Sequence, residues 1–248
     1  MTDLVRDANR TAGLAMRPAN DRVYADGIEA WHRGDLQAAL ALLRRAVAQD
    51  PQYAPAISAL GAVLSETGRT AEARLLHQRT NELTDTVPAA ARTALEARYH
   101  ASIGDWPRAI EGFASVWNRR PDQVSEALEL AHAQFRARRT ADARGTLAAM
   151  SRLAEGADSD ARVLLLSARI AGQFGEMAQV RELAARAADV AKARDLRLVH
   201  GRAKMLEAGA AQNLGELDEA VRLRQEAKAI SESIGDWVCA STAFAGGG

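Results

Sequence analysis

The chain has 248 residues, 48% hydrophobic and 26% charged, so it has the composition of a folded protein and not of a disordered tail. Thirty-two basic residues balance 32 acidic ones. That neutrality excludes general attraction to nucleic acid or to an anionic membrane and leaves only local patches. Much of the apolar content is alanine and only 4% of residues are aromatic, a composition suited to many thin helix–helix contacts. Runs of β-branched residues with period two are absent. A single cysteine, Cys239, allows no intramolecular disulfide and suits a reducing compartment. No apolar run reaches the length of a membrane span, and the start MTDLVRDANR lacks a secretory pattern. The chain reads as soluble and cytoplasmic.

Residues 1–19 carry a weak helical pattern (Leu4, Ala8, Leu14, Met16) that stops before Pro18, a lead-in helix or linker. The stretch from Gly27 to Pro51 reads as a helical hairpin. Leu36, Ala39, Leu40, Leu43, Ala46 and Val47 recur at three- and four-residue steps, which gives one helix face. Gly34 can close the first helix in the left-handed conformation, Asp35 is placed to cap the second, and Pro51 ends it.

This unit recurs. Gly34-Asp35 is followed by turn signals at Gly68-Arg69, Gly104-Asp105, Arg138-Arg139-Thr140, Gly175-Glu176 and Gly215-Glu216, at steps of 34, 36, 34, 37 and 40 residues. Five residues after each turn stands a small apolar residue: Ala39, Ala73, Ala109, Ala143, Val180 and Ala220. Seven further on come Ala46, Thr80, Val116, Met150, Ala187 and Ala227. Seven before each turn stand Gly27, Gly61, Ala97, Ala131, Ala168 and Ala208, where a small side chain lets helices cross closely. A period of this length signals a helical repeat array.

Gly27, Gly34, Ala39, Ala46 and Pro51, with Gly61, Gly68 and Ala73 in the second unit and Ala97, Gly104, Ala109, Phe113 and Pro121 in the third, resemble the tetratricopeptide repeat (TPR) motif. The fourth unit lacks the turn glycine, and the fifth and sixth lack the terminal proline. The resemblance covers residues 20–248. It implies an all-α fold, a right-handed α-solenoid of antiparallel helix pairs with about six repeats and a truncated seventh. The units are expected near 20–53, 54–88, 89–122, 123–158, 159–195 and 196–236. Residues 237–248 would be the first half of a further helix, leaving Trp237, Val238 and Phe244 partly uncovered. The chain therefore reads as a piece of a longer protein; the alternative is a natural frayed end with a glycine tail.

Motifs of chemistry are missing. There is no phosphate-cradling Gly-x-x-x-x-Gly-Lys-Ser/Thr, no Gly-x-Gly-x-x-Gly, no His-Glu-x-x-His and no nucleophile elbow. His32, His77, His100, His132 and His200 are scattered, and Cys239 has no second sulfur, so no metal, cofactor or catalytic residue is expected. Asp35, Asp105, Glu176 and Glu216 sit at turns, where capping accounts for them. Trp106 and Trp117 read as packing between repeats.

In TPR arrays the first helices line a concave face that grips peptides or a partner's surface. Carried over by register, that face takes Asp21, Tyr24, Ile28, Trp31 and His32, then Ser58, Ala62 and Glu66, then Arg98. It continues with Leu128, His132, Phe135 and Arg136, with Arg162, Leu165, Arg169 and Gln173, and with Arg202, Met205 and Asn213. From the third unit on it holds five arginines (Arg98, Arg136, Arg162, Arg169 and Arg202) and no carboxylate. Clustered guanidinium groups suit carboxylate or phosphate partners. The expected partner is an acidic or phosphorylated protein segment; the alternative is a solvated arginine face. The lysine-and-asparagine clamp of chaperone-binding TPR domains does not appear.

The reading of function is a non-catalytic protein-interaction scaffold. The alanine- and arginine-rich style resembles C-terminal TPR regions of bacterial signalling proteins that carry kinase, nucleotide cyclase or winged-helix domains. A stand-alone adaptor is one alternative, and a pentatricopeptide-like RNA binder another, against which the neutral charge weighs. Neither nucleic acid nor membrane is expected as a partner. The open C-terminal end allows self-association.

Overall fold

The computed structural model describes residues 18–236. The lead-in reading over residues 1–17 and the truncated helix at 237–248 lie outside them. The described residues form twelve α-helices and no strand. They fall into two compact units, one ending at Asn118 and one beginning at Arg119.

In the first unit the helices are α1 (Pro18–Arg33), α2 (Leu36–Gln49), α3 (Ala54–Glu66), α4 (Thr70–Glu82), α5 (Ala89–Ser102) and α6 (Trp106–Arg119). Helix α1 packs on α2, α2 on α3, α3 on α4 and α4 on α5. In the second unit they are α7 (Val124–Arg136), α8 (Thr140–Leu153), α9 (Ala161–Gln173), α10 (Met177–Ala193), α11 (Arg197–Asn213) and α12 (Leu217–Ile234). Each of these packs on the next, and the odd-numbered helices α7, α9 and α11 also lie side by side. That adjacency lets residues from three repeats share one face.

One turn geometry serves all six pairs. The N–H one residue past the turn position donates to a carbonyl five residues back: Asp35 to Ala30, Arg69 to Leu64, Asp105 to His100, Arg139 to Gln134, Glu176 to Ala171 and Glu216 to Ala211, at 2.9 to 3.2 Å. This is the bond that closes a Schellman cap, and it needs positive φ at the turn residue. Gly34 supplies it at φ 83°. The fourth unit, which has no glycine there, makes the same turn with Arg138 at φ 63°. A side chain in that conformation costs about 1 kcal/mol. Arg138→Gly should therefore raise stability by about 0.5 to 1 kcal/mol in urea unfolding. The only contact it forgoes among those described is an exposed 3.4 Å bond from Arg138 Nη1 to Gln173 Oε1, worth little. A loss of stability would show that Arg138 holds the turn by something other than its backbone.

The small residues do what their spacing suggests. Ala97, Ala131, Ala168 and Ala208 are buried, as are Ala39, Ala73, Ala109, Ala143, Val180 and Ala220. Larger side chains fill between them, with Leu36, Leu43, Ile57, Met150, Leu166, Ile170 and Leu223 fully enclosed. The core is thus a series of thin layers.

The turn carboxylates divide. Asp35 caps α2, accepting from Ala38 N–H at 3.0 Å, and Asp105 accepts weakly from Arg108 N–H at 3.4 Å. The expected capping role fails at Glu176 and Glu216, which make no cap bond to their own helices. The glutamate side chain is one methylene longer and reaches back to the preceding pair. Glu176 takes Arg144 in two bonds of 3.1 and 2.5 Å, and Glu216 takes Arg181. Arg144 also lies 4.0 Å over the Phe174 ring. These are tie-bars between successive repeats.

Candidate functional site

In the second unit the residues expected on the face lie on α7, α9 and α11. On α7, Ser125, Glu129, His132 and Arg136 recur every three or four residues on the side turned from the core, with His132 and Arg136 exposed. Phe135 beside them is half-buried. Helix α8 packs against the opposite side, where Thr146 donates to Gln134 Oε1 at 2.8 Å. From α9, the Arg169 guanidinium lies 5.0 Å over the Phe135 ring, a cation–π contact joining the two repeats. From α11, Arg202 Nε meets Asp236 Oδ2 at 3.0 Å.

His132 marks the centre of this cluster. Its side chain is exposed to water and feels the charges of the neighbouring helices. Burial disfavours its charged form, and the charges of Arg169, Arg202 and Arg136 add to the effect, against an opposing pull from Glu129. The result pushes its pKa down to about 4. Three arginines from three repeats therefore act on one imidazole, and at neutral pH that imidazole is an uncharged donor and acceptor.

Two expectations for this face are corrected. It was expected to hold no carboxylate, but Glu129 stands three residues before His132 and acts on it, and the fully buried Asp236 is bound to Arg202. Asp236 follows Gly235, whose φ of 74° turns the chain back after α12. Arg162 is also committed locally. Its guanidinium makes two bonds to Asp160, at 3.1 and 2.7 Å. Burial opposes ionisation of Asp160, but the bonds and charge of Arg162 and the backbone N–H groups of Arg162 and Val163 prevail, holding its pKa below the usual value. Leu128 was placed on the face but is buried. It lies about 40° around the helix from His132, which is enough to turn it into the core. Leu165 and Met205 are half-buried, and Gln173 and Asn213 are exposed.

In the first unit, Tyr24, Asp21 and Arg98 come together although they lie on α1 and α5. Tyr24 meets Tyr53 edge to face, with ring centres 5.4 Å apart, and the Tyr53 hydroxyl donates to Asp21 Oδ1 at 3.2 Å. Burial pushes the Tyr24 phenol pKa up; the Arg98 charge pulls it down and Asp21 pushes it up. Tyr53, at the start of α3, was not in the expected set. Its signal was its place just after the Pro51 stop. Trp31 is half-buried beside the exposed His32, with ring centres 6.2 Å apart. Ser58 is buried, whereas Ala62 and Glu66 are partly exposed.

Among the described residues no group of three or more His, Cys, Asp and Glu side chains could hold a metal ion. No described helix is long and apolar enough to cross a membrane.

Residues 30–99 match the tetratricopeptide repeat family. No curated protein matches the chain. Among solved structures, a chain of the APC/C hetero-tetramer Cut9–Hcn1 aligns at 12% identity over 98% of this chain and 45% of that one, with a TM-score of 0.60. BtubC from P. vanneervenii aligns at 14% identity over 82% of this chain and 91% of that one, with a TM-score of 0.51. At such identities the likeness is one of fold, and it extends well beyond the matched repeats. Residues 30–99 thus match the tetratricopeptide repeat family, and the described helix pairs beyond them have the same fold.

Proposed function

We propose that this protein-interaction scaffold binds an acidic segment of a partner protein on the face formed by α7, α9 and α11. The observation that carries this reading is the grouping of Arg136, Arg169 and Arg202 on three helices, α7, α9 and α11, that lie side by side. Asp236, bound to Arg202, offsets part of that charge. A carboxylate or phosphate there would gain charge-assisted hydrogen bonds from donors already positioned by three packed helices. The half-buried Phe135 beneath Arg169 gives the segment an apolar floor. The alanine- and arginine-rich style supports a place as the docking module of a larger signalling protein.

The test uses an unlabelled decapeptide of aspartate and glycine, titrated into the full chain by calorimetry at pH 7.5. Saturable binding that weakens steeply between 50 and 300 mM salt is expected. Binding of a lysine–glycine peptide of equal length, or of single-stranded RNA in preference to the acidic peptide, overturns the reading.

A further inference from the structure

We propose that the pocket formed by the end of α10, the start of α11 and the end of α12 binds a phosphate group. It uses none of the residues of the face described above and does not rest on that reading. Two backbone features shape it. At the α10–α11 turn, Asp195 takes a φ of 53° and the Leu196 N–H closes on Ala191 O at 2.8 Å, so the chain reverses sharply between the helices. That places Lys192, in the last turn of α10, and Arg197, the first residue of α11, on the two sides of the turn. One turn on, Gly201 lets α12 come close: an added Cβ would stand 3.1 Å from Ser231 Oγ and 3.2 Å from Ile230 Cγ2. The end of α12 thereby reaches the start of α11, where Arg197 Nη2 donates to Ser233 Oγ at 2.7 Å.

The pocket has a volume of about 180 Å³ and is lined by Lys192, Asp195, Arg197, His200, Ile230 and Ser233. At about 30 Å³ for each water it has room for about six, which a phosphate group and part of its hydration fill. Sites for drug-sized ligands start at about 300 Å³, so a larger body attached to the phosphate stays outside. The lining is cationic. Elsewhere in this unit the basic side chains are tied to carboxylates, as in Arg144 to Glu176, Arg181 to Glu216 and Lys204 to Glu207. Arg197 is bound instead to the neutral Ser233 hydroxyl, and among the described residues neither it nor Lys192 forms an ion pair. Asp195 is the one acidic residue of the lining, so a net positive charge remains. Ser233 in turn donates to Ile230 O at 2.6 Å, which holds the guanidinium in place before a ligand arrives and lowers the cost of ordering it. A phosphate ester carries a charge of about −1.5 to −2 near pH 7 and three acceptor oxygens. The Arg197 fork can take two of these and Lys192 acts as a point charge on the group. A carboxylate brings one charge and two oxygens, so it matches the pocket less well.

The experiment titrates inorganic phosphate and, separately, O-phosphoserine into the nitrogen-15-labelled full chain at pH 7.5. Amide shifts are followed at an ionic strength held constant with sodium chloride. The expected result is saturating shifts at residues 192–200 and 230–233 with a Kd on the order of 1 mM. Acetate should bind there about fivefold more weakly or not at all. Lys192→Ala and Arg197→Ala should each weaken phosphate at these residues about fivefold, and Arg136→Ala, on α7, should leave it unchanged. Lys192 is exposed, so its truncation leaves the core intact and keeps the test valid if Arg197→Ala folds poorly. Tighter binding of phosphoserine names an ester as the source of the group, and tighter binding of inorganic phosphate names the free anion; either bears the proposal out. Shifts at these residues that rise without saturating, or that acetate matches, overturn it. An affinity unchanged in Lys192→Ala and Arg197→Ala overturns it as well. None of these results bears on the acidic-segment reading, which is tested on other residues.

Discussion

Changing Arg136 and Arg169 to glutamate together should weaken binding of the acidic decapeptide by about a hundredfold at 100 mM salt, with the far-ultraviolet dichroism unchanged. Each substitution removes an attraction and installs a repulsion. A fully desolvated charge pair is worth several kcal/mol, but Arg136 is exposed and Arg169 half-buried, so water screens both. A discounted value of about 1.5 kcal/mol for each reversal gives about 3 kcal/mol, or a factor of about one hundred. The fold should tolerate the change. Arg136 lies in the last turn of α7, where a glutamate costs a few tenths of a kcal/mol against the helix dipole. Arg169 gives up a cation–π contact with Phe135 worth about 0.5 to 1 kcal/mol. Arg162→Gln is the contrast, because that guanidinium is already spent on Asp160. It should move the affinity less than threefold. If the double variant binds as tightly as the parent, the arginine face is only a solvated surface.

The fold was legible because each repeat restates it. Ala131, Ala168 and Ala208 are small for the same reason and lie at the same distance from their turns, so local pattern and packing agree. Even the irregular fourth turn follows the rule in its backbone, with Arg138 in the place of glycine. The face was legible in part. Helical spacing gave His132, Arg136, Arg169 and Arg202, since residues three and four apart share a side of a helix. What spacing could not supply was the charge of Asp236 and the pairing of Arg162. Glu129 shares that face by the same spacing, three residues before His132. Asp236 enters through a left-handed turn after α12, beyond the reach of helix periodicity. Arg162 looked like its neighbours by register, but its partner Asp160 is two residues away in the chain and lies before the helix begins. Pairings through caps and turns depend on backbone dihedrals, and repeat arithmetic does not carry those.

The largest loss of stability is expected at Leu43. Its side chain is fully buried on α2 and points at the gap that Gly27 leaves on α1. A Cβ added at Gly27 would stand 3.0 Å from both Leu43 Cγ and Cδ2, so the two residues divide one volume between them. Leu43→Ala should cost about 3 to 4 kcal/mol, the transfer term for the lost carbons plus a cavity that close-packed helices only partly collapse. Gly27→Ala alone is opposed from two sides. It gains about 1 kcal/mol in helix propensity and loses about 1 to 3 by pressing on Leu43, for a net loss near 1 kcal/mol. Combined, the two changes should not add. With Leu43 cut back the new methyl loses its two closest contacts and keeps only Leu42 Cβ at 3.3 Å, so it fills part of the cavity and keeps most of its propensity gain. The double variant should then be about 1 to 2 kcal/mol more stable than Leu43→Ala. Hydrogen exchange is the better reading than a single melting curve, because stacked repeats need not unfold in one step. Amides of α1 and α2 should lose most of their protection in Leu43→Ala and regain part of it in the double variant. Additive losses would mean that Gly27 is small for its backbone and not for the leucine opposite.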